Sequence, residues 1–441
     1  MPASPTDSLI YGKLFGDAAV GQLFTDTAEV RAMMLVEGAL AQVQGRLGMI
    51  PETSAAAIQR AAMEIQIDPG GLAESVAANA VVVPALVDAF REAMQAPEHS
   101  AYLHWGATSQ DIMDTGLALR LRQALTIIEE RLDRVILGLA DLAEAHAETP
   151  MVARTYGQAA VVTSFGAVVA DWGRPLIRHR ERLQGVRSDV ELVSLSGAAG
   201  TLSVMEGRGA EIRSELAKAL ALSDPESSWH STRDGIAALG AWLTGLTGSL
   251  GKIGEDLLIL TQSGVSEVCL GRGGGSSTMP QKSNPVAPSA ISAIARQAVG
   301  LNTVIQSALP HRQQRDGAAW LSEWLCLPQL IILTARSLAM TDALDVAPDI
   351  QAMTRHIEAT DGMIFAEALT FALARTMPRP EAQAEVKRLI ATARDKGLPL
   401  QSIVQESHED LKSSEIFNPE HNLGTSPQDA RRFAKVARLE K

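Results

Sequence analysis

Apolar residues recur at steps of three and four through residues 114–148, and charged residues fill the positions between them. The apolar positions are Leu117, Leu121, Leu125, Ile128, Leu132, Val135, Leu139 and Leu142. This spacing puts the apolar side chains on one face of an α-helix. At 1.5 Å per residue the helix would be roughly 50 Å long, far longer than the average helix of a globular protein. A helix of this length needs partner helices, so the pattern predicts a helix bundle.

Four further segments repeat the helical pattern, and no alternation of apolar and polar residues lasts long enough to predict a sheet. The segments are 163–192, 235–263, 287–307 and 320–342. The sequence therefore predicts an all-α fold with a bundle of long helices at its centre.

Breaks that contain proline divide the chain on either side of this bundle. One break lies at 95–99 and another at 345–349, and further prolines separate short helices beyond the second. We expect three domains: an N-terminal helical domain at 1–110, the central long-helix bundle at 111–345 and a small C-terminal helical domain at 346–441.

Composition narrows the class of protein. Hydrophobic residues make up 46% of the 441 positions, aromatic residues only 4%, and the net charge is −12, which makes nucleic acid an unsuitable partner. The N-terminus lacks a signal-like pattern and no uncharged apolar run is long enough to cross a membrane, so we expect a soluble, cytoplasmic protein. Cys269 and Cys326 are too few for a disulfide framework, and we expect both to be buried free thiols.

The stretch at 271–285 joins a run of glycines to Ser276, Ser277, Lys282 and Asn284. Glycine-dense backbone beside polar groups is typical of a loop that moves or approaches a ligand closely. Such a loop could bring a serine onto a substrate carbon while Lys282 and backbone amides hold a carboxylate. A solvated surface turn is the alternative that composition alone leaves open.

The ten residues from Gly275 to Asn284 match the pattern G-S-S-x-M-P-x-K-x-N at all seven fixed positions. On this segment the chain resembles the fumarase/aspartase superfamily. The resemblance implies that Ser276 is the general base or its conjugate acid and that Lys282 and Asn284 contact a substrate carboxylate. Ser277 and Met279 would line the same substrate site.

A second segment, His104-Trp-Gly-Ala-Thr-Ser-Gln-Asp111, places Thr108 and Ser109 just before the long helix. Donors at a helix N-terminus can bind an anion, but simple capping by Asp111 or Asp114 explains the same residues. The segment is similar to the adenylosuccinate lyase and carboxymuconate cycloisomerase branches of the superfamily. There the positions of His104, Thr108 and Ser109 line the substrate pocket.

A third segment, Arg154-Thr-Tyr-Gly-Gln158, fits the superfamily's R-T-x-x-Q pattern but has an unusual residue at the first variable position. Tyr156 stands where fumarases and adenylosuccinate lyases have an acid histidine. A tyrosine has an ordinary pKa near 10 and is a poorer proton donor at neutral pH. The muconate cycloisomerase branch also has an aromatic residue here, and its leaving group is an internal carboxylate that needs no proton.

Other stretches favour the same branch. They resemble its W-H-x-x-R-D (229–234), its W-x-x-E-W-x-x-L-P (320–328) and its D-P-x-x-Y-L-G (418–424). The likeness runs from about Phe24 to the C-terminus. Departures at Ala78, Ala153 and Ala159 leave the substituent of the substrate open.

Several charged residues have two interpretations. Arg315 aligns with an arginine that grips a substrate carboxylate in the superfamily, and Glu267 with a glutamate near the catalytic centre. Arg154 and Arg233 are further candidates for substrate contact, with Gln158 beside the first. Each arginine could instead be a solvated charge, as most surface arginines are.

The resemblance implies an enzyme that closes a 3-substituted cis,cis-muconate to a muconolactone, with Ser276, Lys282, Tyr156 and Glu267 as catalytic residues. It implies a small di- or tricarboxylate substrate and a homotetramer whose active sites are shared between subunits. The sequence has no H-E-x-x-H, P-loop or G-x-S-x-G motif, so we expect no metal and no cofactor. The alternatives are an adenylosuccinate-type lyase that releases fumarate and a non-catalytic structural homologue.

Overall fold

A computed structural model describes residues 4–271, 274–275, 278–279 and 282–439. Its helices before the long bundle segments are α1 (Gly12–Phe15), α2 (Ala18–Gly21), α3 (Asp26–Arg46), α4 (Glu52–Glu64), α5 (Ala73–Asn79), α6 (Val83–Met94) and α7 (Pro97–Ser100). The long helices are α8 (Ser109–Ala145), α9 (Phe165–Val190), α11 (Asp234–Leu260), α12 (Val286–Ala308) and α13 (Gly317–Asp342), with α10 (Gly209–Leu220) between the second and third. The remaining helices are α14 (Ile350–Glu358), α15 (Ala366–Leu373), α16 (Arg379–Lys396), α17 (Leu400–Ser407), α18 (Ser413–Ile416) and α19 (Ser426–Leu439).

The prediction of an all-α fold is confirmed. Each long helical segment predicted from apolar spacing is found within a few residues of its expected bounds. The agreement is close because the 3.6-residue period is a local property that survives whatever the segment packs against.

Among the described residues, short strands nevertheless form three antiparallel pairs where the sequence pattern predicted no sheet. The strands are β1 (Pro150–Thr155), β2 (Gln158–Ser164), β3 (Val268–Leu270), β4 (Gly274–Gly275), β5 (Ser283–Asn284) and β6 (Val346–Pro348), in the antiparallel pairs β1–β2, β3–β6 and β4–β5. Burial does not alternate along β1 and alternates only over the last few residues of β2, which is too short a stretch to give a strand signal. The segment predicted as helical from residue 163 therefore begins as strand and turns helical at Phe165.

A two-residue turn joins β1 to β2. Thr155 pairs with Gln158, so Tyr156 and Gly157 form the loop, and their φ angles are +51° and +74°. Two successive positive φ angles are typical of the type I′ turn that best fits the twist of a hairpin. Glycine adopts this backbone without strain, whereas Tyr156 holds a conformation that few side chains tolerate.

Contacts divide the chain into two compact units, each assembled from three stretches. The first contains residues 1–131, 179–248 and 293–339, and the second contains 132–178, 249–292 and 340–441. The division into three sequential domains stays a prediction.

Each unit has its own apolar core. In the first unit α3, α4 and α6 pack with the start of α8, and its most deeply buried members include Val36, Ile58, Phe90, Val193, Met205 and Ile212. In the second unit the hairpin β1–β2 packs with the short C-terminal helices through residues that include Leu369, Leu389, Leu400 and Val404. The β1–β2 hairpin is thereby fixed at its base by the C-terminal helices.

Among the helices that the structure describes, one, α13, is long and apolar enough to cross a membrane. However, 56% of its most apolar stretch is buried in the protein. A core helix has the same properties, so the composition of α13 carries no membrane assignment. Cys326 lies buried in this helix, and burial raises the pKa of its thiol. Cys269 is exposed on β3, so the expectation that both thiols are buried is wrong for this residue.

Because α9 packs closely against the end of α8, we expect alanine substitutions at two glycines of α9 to have opposite effects on the free energy of unfolding. A β-carbon on Gly166 would lie 2.7 Å from the Ala147 Cα atom and 2.7 Å from the His146 carbonyl oxygen, whereas one on Gly185 would meet nothing within 4 Å. We expect Gly166→Ala to lower the free energy of unfolding by about 1–3 kcal/mol through overpacking. Gly185→Ala, the matched control, should raise it by about 0.4–1 kcal/mol. Chemical denaturation measures both, and equal effects would contradict the packing described.

Candidate active site

The first group of predicted site residues lies where α8 begins. The Thr108 backbone N–H, just before the helix, donates to the Asp111 Oδ2 atom at 2.9 Å. A side chain at the third helical position that reaches back to the capping residue is half of a capping box. Asp111 therefore caps α8, as one of the two interpretations of this segment expected. The Thr108 hydroxyl is not used in this cap and can make another contact.

Asp111 also fixes the loop that faces the start of α8. The side chain is fully buried and accepts hydrogen bonds from the backbone N–H groups of Ser196 (2.8 Å) and Gly197 (3.0 Å). The Nε2 atom of His230 lies 2.9 Å from its Oδ1 atom. A buried carboxylate is tolerated only when its lone pairs are satisfied, so these donors lock the loop, the helix and His230 together.

Arg233 is buried between two carboxylates. Its Nη1 atom donates to Asp114 at 2.7 Å, and its Nε and Nη2 atoms donate to Glu323 at 3.0 and 2.5 Å. The ring of Trp229 covers the guanidinium, with its centroid 4.6 Å away. Burial lowers the pKa of Arg233, but the two carboxylates more than offset this, and the pKa stays above its ordinary value.

Arg315 differs from Arg233 because it is only half-buried and meets neutral groups. Its Nε atom donates to the Gln110 side-chain oxygen at 2.9 Å, and its Nη2 atom lies 3.3 Å from the Ala198 carbonyl oxygen and 3.5 Å from the Thr108 hydroxyl. Within the part of the chain that the structure describes, no carboxylate pairs with this guanidinium. A fixed cation without a protein counter-charge is suited to hold an anion.

His104 presents a third polar group in the same unit. Its Nδ1 atom lies 2.6 Å from the Oε1 atom of Glu37, a buried carboxylate on α3. Burial lowers the pKa of His104, but the hydrogen bond and the charge of Glu37 outweigh it, and the pKa is raised. The imidazole therefore keeps its positive charge to a higher pH than a free histidine does.

The second group of predicted residues lies in the second unit, around Glu267. This carboxylate is fully buried just before β3 and accepts two hydrogen bonds of 2.8 Å from the Nη1 and Nη2 atoms of Arg154 on β1. The Nδ1 atom of His356 on α14 lies 2.7 Å from its Oε1 atom. Three elements distant in sequence are thus joined through one carboxylate.

Tyr156 and Gln158 lie at the far end of the same hairpin. The Tyr156 side chain is fully exposed at the turn, and Gln158 is exposed at the start of β2. Within the described residues of this chain, neither side chain makes a hydrogen bond.

The segment that matches G-S-S-x-M-P-x-K-x-N is bracketed by a small antiparallel ladder. Gly274 pairs with Asn284 and Gly275 pairs with Ser283, and the Lys282 backbone N–H donates to the Met279 carbonyl oxygen at 3.0 Å. The Lys282 and Met279 side chains are exposed, and Asn284 is half-buried. The predicted catalytic Ser276 and its neighbour Ser277 lie outside the described residues.

The structure places Arg315 beside Thr108 in the first unit, which also contains His104 and Ser109, and it pairs Arg154 with Glu267 in the second. The arrangement offers a polyanion positive charge at several points in spite of the net charge of −12. Residues that the sequence analysis did not assign complete both groups, and they are Glu37, Gln110, Asp111, Asp114, His230, Glu323 and His356. Asp111, His230 and Glu323 stood inside the motifs, but a motif does not reveal which side chain a buried group pairs with.

Comparison with known proteins agrees with this fold and these motifs. Residues 11–300 match the model of a protein family described as lyase. A 3-carboxy-cis,cis-muconate cycloisomerase of Pseudomonas aeruginosa is 35% identical over 94% of this chain and 93% of its own length. The crystal structure of the 3-carboxy-cis,cis-muconate lactonizing enzyme of Pseudomonas putida superposes with a TM-score of 0.92 at 30% identity, over 98% of this chain and 99% of that one.

A second solved structure carries a different activity in its name. A fumarate lyase of a Mesorhizobium strain superposes with a TM-score of 0.90 at 31% identity, over 96% of this chain and 99% of that one. The matched family and the full-length likeness show that the chain belongs to the lyase family with the all-α fumarase/aspartase fold.

Proposed function

We propose that the protein is a cycloisomerase, an intramolecular lyase that closes 3-carboxy-cis,cis-muconate or a similarly 3-substituted muconate to a muconolactone. The observation that carries the proposal is the combination of Ser276, Lys282 and Asn284 with an aromatic residue at 156, in a chain that resembles lactonizing enzymes over its whole length. A role in the catabolism of aromatic compounds, in the cytoplasm, would follow from that substrate.

The proposed reaction adds a carboxylate oxygen to a conjugated double bond of the same molecule. As the C–O bond forms, the π electrons move to the neighbouring carbon and spread into its carboxylate. A proton then quenches this carbanion. The substrate carries three carboxylates and the lactone product two, so closing the ring takes up one proton.

Stabilisation of the carbanion is the difficult step, and charge of opposite sign is the direct way to supply it. Lys282 with Asn284 would hold the carboxylate on which charge grows, and Ser277 and Met279 would line that end. Ser276 would give the proton to carbon in the lactonising direction. A serine hydroxyl is far too weak an acid or base in water, so it needs exclusion of water and nearby cations to shift its pKa.

The other carboxylates of the substrate would meet the first group of residues. Arg315 has no protein counter-charge among the described contacts and lies beside Thr108, so we assign it the strongest carboxylate contact. Thr108, Ser109 and the His104 imidazolium would complete that contact. Arg233 already pairs with Asp114 and Glu323, so in this proposal it supports the site from behind and does not touch the substrate.

The second group would act from another subunit of a homotetramer. Tyr156 and Gln158 project from a hairpin tip with no partner in the described part of their own chain, and an exposed tip is suited to complete a site on a neighbouring copy. Arg154 and Glu267 would set the position of that tip. This sharing of sites explains why a long-helix bundle and an exposed hairpin occur in one chain.

A fumarate-releasing lyase is the second candidate, favoured by the likeness to the Mesorhizobium fumarate lyase. Such a reaction expels an amine or hydroxide, which requires a proton at the leaving group. Tyr156 is a poor donor for that step, whereas lactone formation does not need it. Loss of the diene absorbance of 3-carboxy-cis,cis-muconate on mixing with the protein supports the cycloisomerase. No loss, together with the appearance of fumarate absorbance from a succinyl substrate, would favour the lyase.

Ser276→Ala tests the proton carrier. We expect the variant to fold and to bind the muconate with unchanged affinity. Its kcat should fall at least about 100-fold, because no other group supplies the proton to carbon. Stopped-flow diene absorbance measures kcat, and equilibrium binding measures affinity. Thr278→Ala is a control in the same segment. Full turnover by Ser276→Ala would remove this residue from the mechanism.

Arg315→Met tests the carboxylate contact. Loss of a charge-assisted hydrogen bond of about 1.5–3 kcal/mol should raise KM by about 10- to 100-fold. Arg312→Met is the matched control because Arg312 is exposed in the same segment and pairs with Asp316, and we expect its KM to stay within about twofold. Equal KM values for the two variants would contradict the assignment.

The His104–Glu37 pair makes a prediction about pH. The pKa of His104 is raised in the folded protein, so its imidazolium contribution to stability is complete below the ordinary histidine pKa and is lost as pH rises through the folded value. Substrate affinity that depends on the same charge should weaken over the same interval. We expect KM to rise with pH in the wild type and to stay flat over this interval in His104→Asn. Parallel KM profiles would exclude the imidazolium as a substrate contact.

A further inference from the structure

We infer that a cavity in the first unit binds an uncharged, apolar substituent on carbon 3 of the muconate, so that the preferred substrate is a 3-alkyl-cis,cis-muconate. The inference rests on the proposed function and names its substrate class. In the proposed reaction one carboxylate attacks and a second takes up the negative charge, so the chemistry does not require a third carboxylate. The walls that receive the substituent therefore decide which muconate is preferred.

The cavity lies among helices α3, α5, α8 and α13 and has a volume of about 560 Å³. Sites for small molecules have volumes of roughly 300–1,000 Å³. Carbon forms most of its walls, for example at Val76 on α5, Leu117 on α8 and Trp324 on α13. All of its lining residues belong to the first unit. An alkyl group that enters the cavity from solvent would therefore bury apolar surface.

Arg120 is the basic side chain among the residues that line the cavity, and it is already paired. Its Nη1 atom lies 3.6 Å from the Oε2 atom of Glu29, which also lines the cavity. The ring of Phe24 covers the guanidinium, with its centroid 5.6 Å away. A guanidinium that faces a carboxylate of its own chain offers little net attraction to a second carboxylate.

Three further carboxylates line the same cavity. Asp114 and Glu323 share the buried Arg233, and Asp26 is exposed at the start of α3. With Glu29 there are four carboxylates, against the two guanidinium groups of Arg120 and Arg233. A carboxylate substituent would enter an excess of negative charge, whereas an alkyl group carries no charge to be repelled.

Hydrogen bonds connect the cavity to Arg315, the residue assigned the strongest carboxylate contact. Asp114 lines the cavity and accepts a hydrogen bond of 3.1 Å from the Gln110 side-chain nitrogen. The Gln110 side-chain oxygen accepts a hydrogen bond of 2.9 Å from the Arg315 Nε atom. A single residue therefore lies between the wall of the cavity and the guanidinium proposed to hold a substrate carboxylate.

Helix α3 makes a similar connection to His104. Met33 lines the cavity, and Glu37, one helical turn further along the same face, lies 2.6 Å from the His104 Nδ1 atom. Ala78, where the sequence departs from the muconate branch, also lies between two residues of the lining. Each proposed carboxylate contact is thus linked to a wall of the cavity through one intervening residue.

Substrate selectivity tests the inference. We expect kcat/KM of the wild type for 3-methyl-cis,cis-muconate to exceed that for 3-carboxy-cis,cis-muconate at least about tenfold, because the cavity accepts the methyl group and repels the carboxylate. The value for 3-propyl-cis,cis-muconate should be higher still, since each additional buried methylene contributes roughly fourfold. Loss of the diene absorbance measures all three, with unsubstituted cis,cis-muconate as the reference.

Leu117→Trp tests whether the substituent enters this cavity. The larger side chain would fill part of it, so kcat/KM for the 3-propyl substrate should fall about 10- to 100-fold. The value for unsubstituted cis,cis-muconate should stay within about twofold, which controls for folding in the same protein. Leu142→Trp is the matched control, because Leu142 is also half-buried on α8 but does not line this cavity. It should leave the ratio of the two values unchanged.

Glu29→Gln tests the role of charge. The substitution leaves the Arg120 guanidinium without its partner, so a carboxylate substituent gains a counter-charge inside the cavity. We expect kcat/KM for the 3-carboxy substrate to rise about tenfold relative to that for the 3-methyl substrate. An unchanged ratio would contradict the charge argument.

Three further results would overturn the inference. An equal or higher kcat/KM of the wild type for the 3-carboxy substrate would overturn it and leave the proposed function in place. Equal losses on the 3-propyl and unsubstituted substrates in Leu117→Trp would give Leu117 a structural role only. Turnover of none of these muconates would overturn the proposed function together with the inference, and this outcome is distinct from turnover of the 3-carboxy substrate alone.

Discussion

Arg233 carries a positive charge with 1% of its surface exposed, and the first unit depends on the way this charge is neutralised. Asp114 supplies one carboxylate from α8 and Glu323 supplies the other from α13, while Arg233 itself lies directly before α11. A buried charge costs several kcal/mol unless it is paired with good geometry. Three long helices are consequently fixed in one register, because sliding any of them would leave an unpaired charge in the core.

The polar groups of the candidate site are fixed by that network. Gln110 donates to Asp114 and accepts from Arg315, so the guanidinium proposed to bind substrate is positioned by a residue that contacts the buried pair. Asp111, one position further along α8, holds the Ser196–Gly197 backbone in the same way. Arg315 and His104, both proposed to touch substrate, are each oriented by a neighbour that solvent does not reach, Gln110 and Glu37.

In the second unit a buried carboxylate also positions its partners, but those partners are more exposed to solvent. Glu267 is buried, but its two partners, Arg154 and His356, keep part of their surface in solvent. Both side chains are held by a buried carboxylate and still reach solvent, whereas Arg233 is buried together with its partners. The difference in solvent exposure separates Arg233, which maintains the fold, from Arg154 and His356, which a substrate could reach.

The sequence by itself determined the long helices and the identity of the G-S-S-x-M-P-x-K-x-N segment, because helical periodicity and motif chemistry are local properties of the chain. It did not determine the β1–β2 hairpin, because burial does not alternate along β1 and alternates only over the last few residues of β2. It also could not tell which of Arg233, Arg154 and Arg315 is buried between carboxylates and which has none beside it. Only the tertiary structure separated them, since the carboxylates of Arg233 lie 90 and 119 positions away and the histidine that shares Glu267 lies 89 positions from it. Burial and pairing depend on such long-range contacts, and these decide whether an arginine supports the core or is left with an unpaired charge.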